Sequence, residues 1–236
     1  MHDRFSRRIF LAAAAAAMLA PHEFYGKEEL PAMLDHILLG SNDLDAGIAF
    51  VEQHTGLRAA FGGVHPGRGT RNALLSLGTG CYLEIIAPDP QQAGVPDPYG
   101  LQSLATPRLV NWAVHLASLD EQVRRLTEAD IAFEGPTAGS RNRPDGRVLH
   151  WRTLRLKDDR HGLLPFFIEW GAGSVHPSAD APKGCRLVRF GAAAPRPDEL
   201  GAVFARLGIE VRVESSDRPQ LRAAIAGSQG ELSLTS

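Results

Sequence analysis

Cysteine is nearly absent from this 236-residue sequence: only Cys81 and Cys185 occur, far apart and outside any Cys-x-x-Cys or Cys-x-x-His spacing. That excludes a zinc-finger or thioredoxin-type site and a disulfide scaffold. An excess of charge of either sign is also missing, with 25 Lys and Arg against 27 Asp and Glu and a formal net charge of −2. A basic nucleic-acid-binding chain is thereby excluded, and no polyanionic partner is implied. Glycine (24) and proline (16) stay near average usage, which rules out disorder and collagen-like repeats. Past the first twenty residues no apolar run reaches the roughly 20 residues of a membrane span. There is no Gly-x-Ser-x-Gly elbow, P-loop or dinucleotide fingerprint. What remains is a chain with 44% apolar and 22% charged residues, sized to bury a core as one large domain or two small ones.

Residues 1–20 read as a targeting segment. Asp3-Arg4-Phe5-Ser6-Arg7-Arg8-Ile9-Phe10-Leu11 runs into Ala12 to Ala17, Met18, Leu19 and Ala20, a basic start followed by a short apolar stretch. An all-round apolar run offers no polar face to solvent, which argues against an amphipathic helix. Ser6-Arg7-Arg8-Ile9-Phe10-Leu11 resembles the bacterial twin-arginine export signal, and the resemblance implies an exported, periplasmic protein. Small residues allow cleavage after Ala17, whereas Pro21 opposes a cut after Ala20. Outside the cytoplasm Cys81 and Cys185 either pair or stay as two separately buried thiols.

The rest of the chain repeats one order of elements three times. Residues 34–39 read as a strand, and a helix runs from Asp43 to about His54 with Gly56 as its stop. Strands over 57–61, 72–77 and 82–86 follow, separated by glycine-rich breaks. After a proline-rich linker at about 88–107, the order restarts with a strand over 112–116, a helix over 119–129 and strands over 131–133, 148–156 and 164–170. A weaker third copy begins at Leu187, with a helix over 198–207 and strands over 210–213, 221–225 and 231–234. The predicted fold class is α+β, built from tandem βαβββ modules: a paired domain over 33–173 and a third, degenerate module over 185–236.

Aligning the first two units by strand order pairs His36 with His115 and Glu84 with Glu169, each flanked at alternate positions by mostly apolar residues. All four are expected to point to an enclosed face. A buried ionised carboxylate is expensive unless paired or metal-bound, so two of them facing two imidazoles read as a divalent-metal site. The alternative is a set of hydrogen-bonded core residues. Nitrogen-plus-oxygen ligation suits Zn²⁺, Fe²⁺, Mn²⁺, Co²⁺ or Ni²⁺ better than Ca²⁺.

Placed on paired βαβββ units, Leu34-Asp35-His36, Tyr82-Leu83-Glu84-Ile85-Ile86, Val114-His115 and Phe167-Ile168-Glu169-Trp170 resemble the vicinal-oxygen-chelate superfamily, in its glyoxalase-like branch. The resemblance covers 33–173. It implies two facing units whose strands curl into a half-open barrel, with His36, Glu84, His115 and Glu169 as ligands of one divalent transition metal. It also implies a metal-dependent lyase or isomerase acting on a small carbonyl or diol substrate, with Glu169 as the catalytic proton carrier. Two other readings stand beside it. One is an extradiol-type dioxygenase, which needs Fe²⁺, two His and only one Glu, so that Glu84 counts against it. The other is a metal-free protein that binds and sequesters a small molecule while the histidines hydrogen-bond the glutamates. The third unit has no His or Glu at the matching places and reads as structural, covering an edge strand or making a homodimer contact.

The segment His65-Pro66-Gly67-Arg68-Gly69-Thr70-Arg71-Asn72 reads as a flexible lip for an anionic or carbonyl substrate, with His65, Arg71 and Asn72 as binding residues, or else as a solvated loop. Arg141, Arg143, Arg147 and Arg152 form a similar basic group. His150, alternating with Arg152 and Leu154, is placed to reach the cup as a further acid or base.

Overall fold

Strong alternation and well-marked helix ends set the elements of the first unit: β1 (Leu34–Gly40), α1 (Leu44–Thr55), β2 (Ala60–His65), β3 (Thr70–Gly78) and β4 (Cys81–Pro88). The carboxylate of Asp43 accepts the Ala46 N–H at 2.8 Å and opens α1, while Gly56, at φ 75°, closes it. The second unit is β5 (Arg108–His115), α2 (Leu119–Glu128), β6 (Phe133–Asn142), β7 (Val148–Leu156) and β8 (Phe166–Trp170). The third is β9 (Arg186–Ala194), α3 (Pro197–Leu207), β10 (Val213–Ser215), β11 (Gln220–Gly227) and β12 (Gly230–Thr235). These come from a computed structural model that describes residues 30–92, 94–97, 99–143 and 146–236. The export segment read at 1–20 lies outside the described residues. No helix among the described residues is long and apolar enough to cross a membrane.

The first two units join through antiparallel pairing of β1 with β5 into one eight-stranded sheet, ordered β2-β3-β4-β1-β5-β8-β7-β6. Within each half the first strand pairs in parallel with the last, β1 with β4 and β5 with β8. The sheet curls until its edge strands approach. A side chain at Gly63 of β2, at φ 141°, would collide with Arg141 and the Asn142 carbonyl of β6, so glycine is what lets the half-barrel close there.

Alternate residues divide between the two faces. Ile37, Leu39, Leu83, Ile85 and Phe167 face outward and pack with Val51 of α1 and Leu126 of α2. The third unit, a sheet ordered β10-β9-β11-β12, closes over this convex side and shares its core. Trp112, fully buried, lies against Phe190 and Phe204 with ring centroids 5.0 and 6.0 Å away. Each such buried ring is worth about 1.5–3 kcal/mol. The concave side is lined by Leu38, Ile86, Ala113, Phe166 and Ile168, with Leu101 and Leu104 of the inter-unit connection packed against them.

One strand runs longer than its sequence indicates, and one open alternative is decided. Residues 134–142 belong to strand β6 although Gly135, Pro136, Gly139 and Ser140 give them little strand propensity; pairing with β7 supplies the order, and the Gly139 backbone lies close under the Trp151 ring. Of the two cysteine readings, the structure has the separate one: both thiols are free, and burial pushes Cys81 up to about 12.

Candidate active site

The concave face encloses a cup of about 380 Å³. Its floor is set by strand alternation: His36 and Leu38 from β1, Tyr82, Glu84 and Ile86 from β4, and Phe166, Ile168 and Trp170 from β8 all point inward. Arg68, Tyr99, Trp151 and Arg155 bound its rim.

Among the described residues Glu84 is the one acidic residue lining the cup, and it is 7% exposed. Asn72 donates to its Oε1 at 2.6 Å and accepts in turn from Arg141 Nη1 at 2.9 Å. His36 Nε2 stands 3.4 Å from Oε2 and His65 Nε2 3.6 Å from Oε1. Burial by itself would push the Glu84 carboxyl up, but His65, His36, the Asn72 hydrogen bond and Arg141 outweigh it and hold Glu84 below the usual carboxylate range. Burial drives His65 the other way from its neighbour's pull, downward, so the ring is neutral near pH 7 despite Glu84. Its Nδ1 meets Thr70 Oγ1 at 2.9 Å, and its Nε2, at the cup, lies 3.3 Å from the Asn72 amide nitrogen.

Beneath the His36 ring lies a second cluster. The β1–β5 register slips between Leu34 and His36, and this bulge turns the extra residue, Asp35, toward the ring layer of the floor. Asp35 has no solvent exposure. Its Oδ1 accepts from His36 Nδ1 at 2.6 Å; its Oδ2 accepts from Trp170 Nε1 at 2.9 Å and faces His115 Nδ1 and His176 Nε2, each at 3.2 Å. Burial opposes the charge, yet the hydrogen bonds from His115, His176 and His36 hold Asp35 well below the ordinary carboxylate range. An ionised carboxylate only accepts, so His36 Nδ1 carries a hydrogen. Asp35, His115 and His176 offer one ligand atom each within 4.8 Å of one another, donors of the kind that hold a metal ion.

The residues expected from the sequence are therefore sorted into three places. His36, Glu84, His65 and Asn72 meet in the cup. His115, half exposed, turns to Asp35 instead. Glu169 faces the other side of the sheet, where it accepts the Leu119 N–H at the start of α2 at 2.7 Å and pairs with Arg152 at 2.8 Å. The reason is register. His36 pairs with Tyr82 and His115 with Ile168, so the place that matches Glu84 is Trp170, and an offset of one residue reverses the face. Arg71 is likewise turned away from the cup, 3.9 Å from Asp43, between the inward Thr70 and Asn72. His150 lies exposed on the outer parity of β7, whose inward residues are Trp151, Thr153 and Arg155.

Six participants were not singled out from the sequence: Asp35, Tyr99, Trp151, Arg155, Trp170 and His176. Trp170 follows from alternation only once the pairing of His115 with Ile168 has set which parity of β8 looks inward. His176 belongs to a connector outside the repeated elements and carries no such signal.

Residues 34–208 match the glyoxalase-like domain family. The chain belongs to that family. As a glyoxalase-like domain protein it has the curled eight-stranded sheet expected of two facing units. A solved hypothetical protein from Staphylococcus aureus is similar in fold, with a TM-score of 0.58 and 13% identity over 86% of this chain and 84% of that one. A Streptomyces coelicolor methylmalonyl-CoA epimerase variant in complex with 2-nitronate-propionyl-CoA is 19% identical over 61% of this chain and 100% of its own, with a TM-score of 0.44. A Mycobacterium tuberculosis methylmalonyl-CoA epimerase is 20% identical over 65% and 92%, with a TM-score of 0.40. These two looser likenesses add nothing to the first. No curated protein matches the chain.

The glyoxalase-like resemblance implies one metal held at four places. In this chain two of those places, His36 and Glu84, face each other in the cup, the third, His115, turns to Asp35, and the indole of Trp170 stands at the fourth. The donor set does not fit a single four-ligand centre.

Proposed function

We propose that the cup is the active site of a lyase or isomerase that moves a proton on a small, anionic, oxygenated substrate of the carbonyl or diol class. The observation that carries this reading is the charge of the lining: one carboxylate, Glu84, lies between two histidines, and the other charged groups are the guanidiniums of Arg68, Arg141 and Arg155. Arg155 lies 4.5 Å over the Phe166 ring and donates to the Tyr99 hydroxyl at 3.0 Å. Burial, with Arg155 nearby, pushes Arg68 below its ordinary range. An incoming anion relieves that repulsion, and the aromatic walls exclude water from it.

Neutral His65 is the group suited to take a proton from a carbon beside a carbonyl, because its Nε2 lies at the cup and only a long 3.3 Å contact from the Asn72 amide must be displaced for it to accept. Glu84, 3.6 Å from that nitrogen, stabilises the imidazolium that forms. Asn72 and Arg141 hold Glu84 in place, and the rim arginines meet the charge that builds on the substrate oxygen. The proton-carrying role read onto Glu169 is thus proposed for His65 with Glu84.

The test is solvent deuterium exchange into hydroxypyruvate, a small anion with adjacent carbonyl and hydroxyl oxygens, followed by NMR. Exchange by the wild type and its loss in His65→Gln support the reading. Binding without exchange supports the sequestering alternative, which the direct approach of His36 to Glu84 favours.

A further inference from the structure

We propose that Asp35, His115 and His176 form a divalent transition-metal site of the zinc class, on the far side of the ring layer from the cup and largely outside the four places the family resemblance assigns. Three observations converge on it. The donor set is one carboxylate and two imidazoles, and one ligand atom of each lies within 4.8 Å of the others. That chemistry suits Zn²⁺, Co²⁺, Ni²⁺ or Fe²⁺ and is poor for Ca²⁺.

The second observation is the set of supports behind each ligand. Trp170 Nε1 at 2.9 Å and His36 Nδ1 at 2.6 Å fix the Asp35 carboxylate. Ser178 fixes the His176 ring through its hydroxyl, 2.8 Å from Nδ1, and its backbone N–H, which donates to the same nitrogen at 3.3 Å, so that Nε2 is turned toward Asp35 and the cation. Such outer partners orient the ligands of metal sites and tune their affinity. The third is access. Asp35 is completely enclosed, but the His115 side chain is 47% exposed and His176 21%, so the cluster opens to solvent at one end.

A cation here neutralises a carboxylate that is otherwise compensated only by ring N–H groups. It also links the two clusters: Asp35 presents Oδ2 to the metal and keeps Oδ1 on His36, whose Nε2 faces Glu84. The site does not rest on the cup's chemistry and holds metal whether or not a substrate is turned over.

The experiment is a titration of the metal-stripped full chain with Co²⁺, read by calorimetry and by the visible d–d absorption of the bound ion. The wild type is expected to bind near one equivalent. His176→Ala and His115→Ala each lose at least tenfold in affinity, Ser178→Ala, which keeps all three ligands, loses about tenfold, and Glu84→Gln and Glu169→Gln bind as the wild type does. His115 is exposed enough that its variant folds even if His176→Ala does not. No binding by the wild type, metal retained in His115→Ala, or metal lost in Glu84→Gln overturns the proposal.

Discussion

Asp35 Oδ1 accepts the Nδ1 hydrogen of His36 at 2.6 Å, so a carboxylate with no exposure of its own orients a histidine of the cup floor. Four ring nitrogens surround that carboxylate, and removing its charge leaves them with a weaker acceptor that has no solvent exposure of its own. Asp35→Asn is expected to cost about 3 kcal/mol in urea unfolding at pH 7. The sign with pH follows from the lowered carboxyl, held down against burial by His115, His176 and His36. Its stabilisation is present above the ordinary carboxylate range and is lost as pH falls through the lowered value in the folded state. Asp35→Asn therefore flattens the acid side of the stability curve. An unchanged acid limb contradicts this account.

His65 sets a second pH dependence. Burial lowers its pKa, with Glu84 only partly opposing, so the ring stays neutral to a pH below the ordinary value of about 6.5. If neutral His65 takes the proton, the exchange rate holds constant as pH falls to about 6.5 and declines only below it. A pH–rate profile checks this, and a decline that begins above 6.5 assigns the proton to another group.

The rim arginines predict a charge preference. Replacing Arg68 by Met removes one guanidinium from the cup lining while sparing its floor. Hydroxypyruvate binding, followed by the fluorescence of Trp151 and Trp170, is expected to weaken about tenfold, since a hydrogen bond to a charged group is worth roughly 1.5–3 kcal/mol. Equal affinity in Arg68→Met would remove Arg68 from the site.

The paired arginines of the N-terminal segment give a prediction apart from the cup. Arg7→Lys combined with Arg8→Lys is expected to keep the protein in the cytoplasm of a bacterial host, as cell fractionation reads it. Unchanged export refutes the twin-arginine reading.

Most elements were legible because their sequences alternate sharply and their ends are marked: Asp43 and Gly56 bracket α1, and His36 and Glu84 sit at inward positions of β1 and β4. The face of β8 was not. Phe166, Phe167, Ile168, Glu169 and Trp170 offer bulky residues on both parities, because Phe167 packs against the helices while Phe166 lines the cup. Only pairing with β5 decides which parity looks inward, and that information lies in another strand. Asp35 was hidden by its bulge, which breaks the alternation that would place it on the outer face. Arg141 was visible as a charge, but its delivery to the buried Asn72 depends on β6, whose glycines and proline conceal a strand.

Proton movement on a small anion in the cup is read by comparing solvent deuterium incorporation into hydroxypyruvate and into dihydroxyacetone, its uncharged counterpart, by the wild type and by Glu84→Gln. Exchange is expected to favour hydroxypyruvate at least tenfold and to fall to background in Glu84→Gln. Exchange that is indifferent to the substrate's charge, or undiminished when Glu84 loses its own, contradicts the proposed reaction.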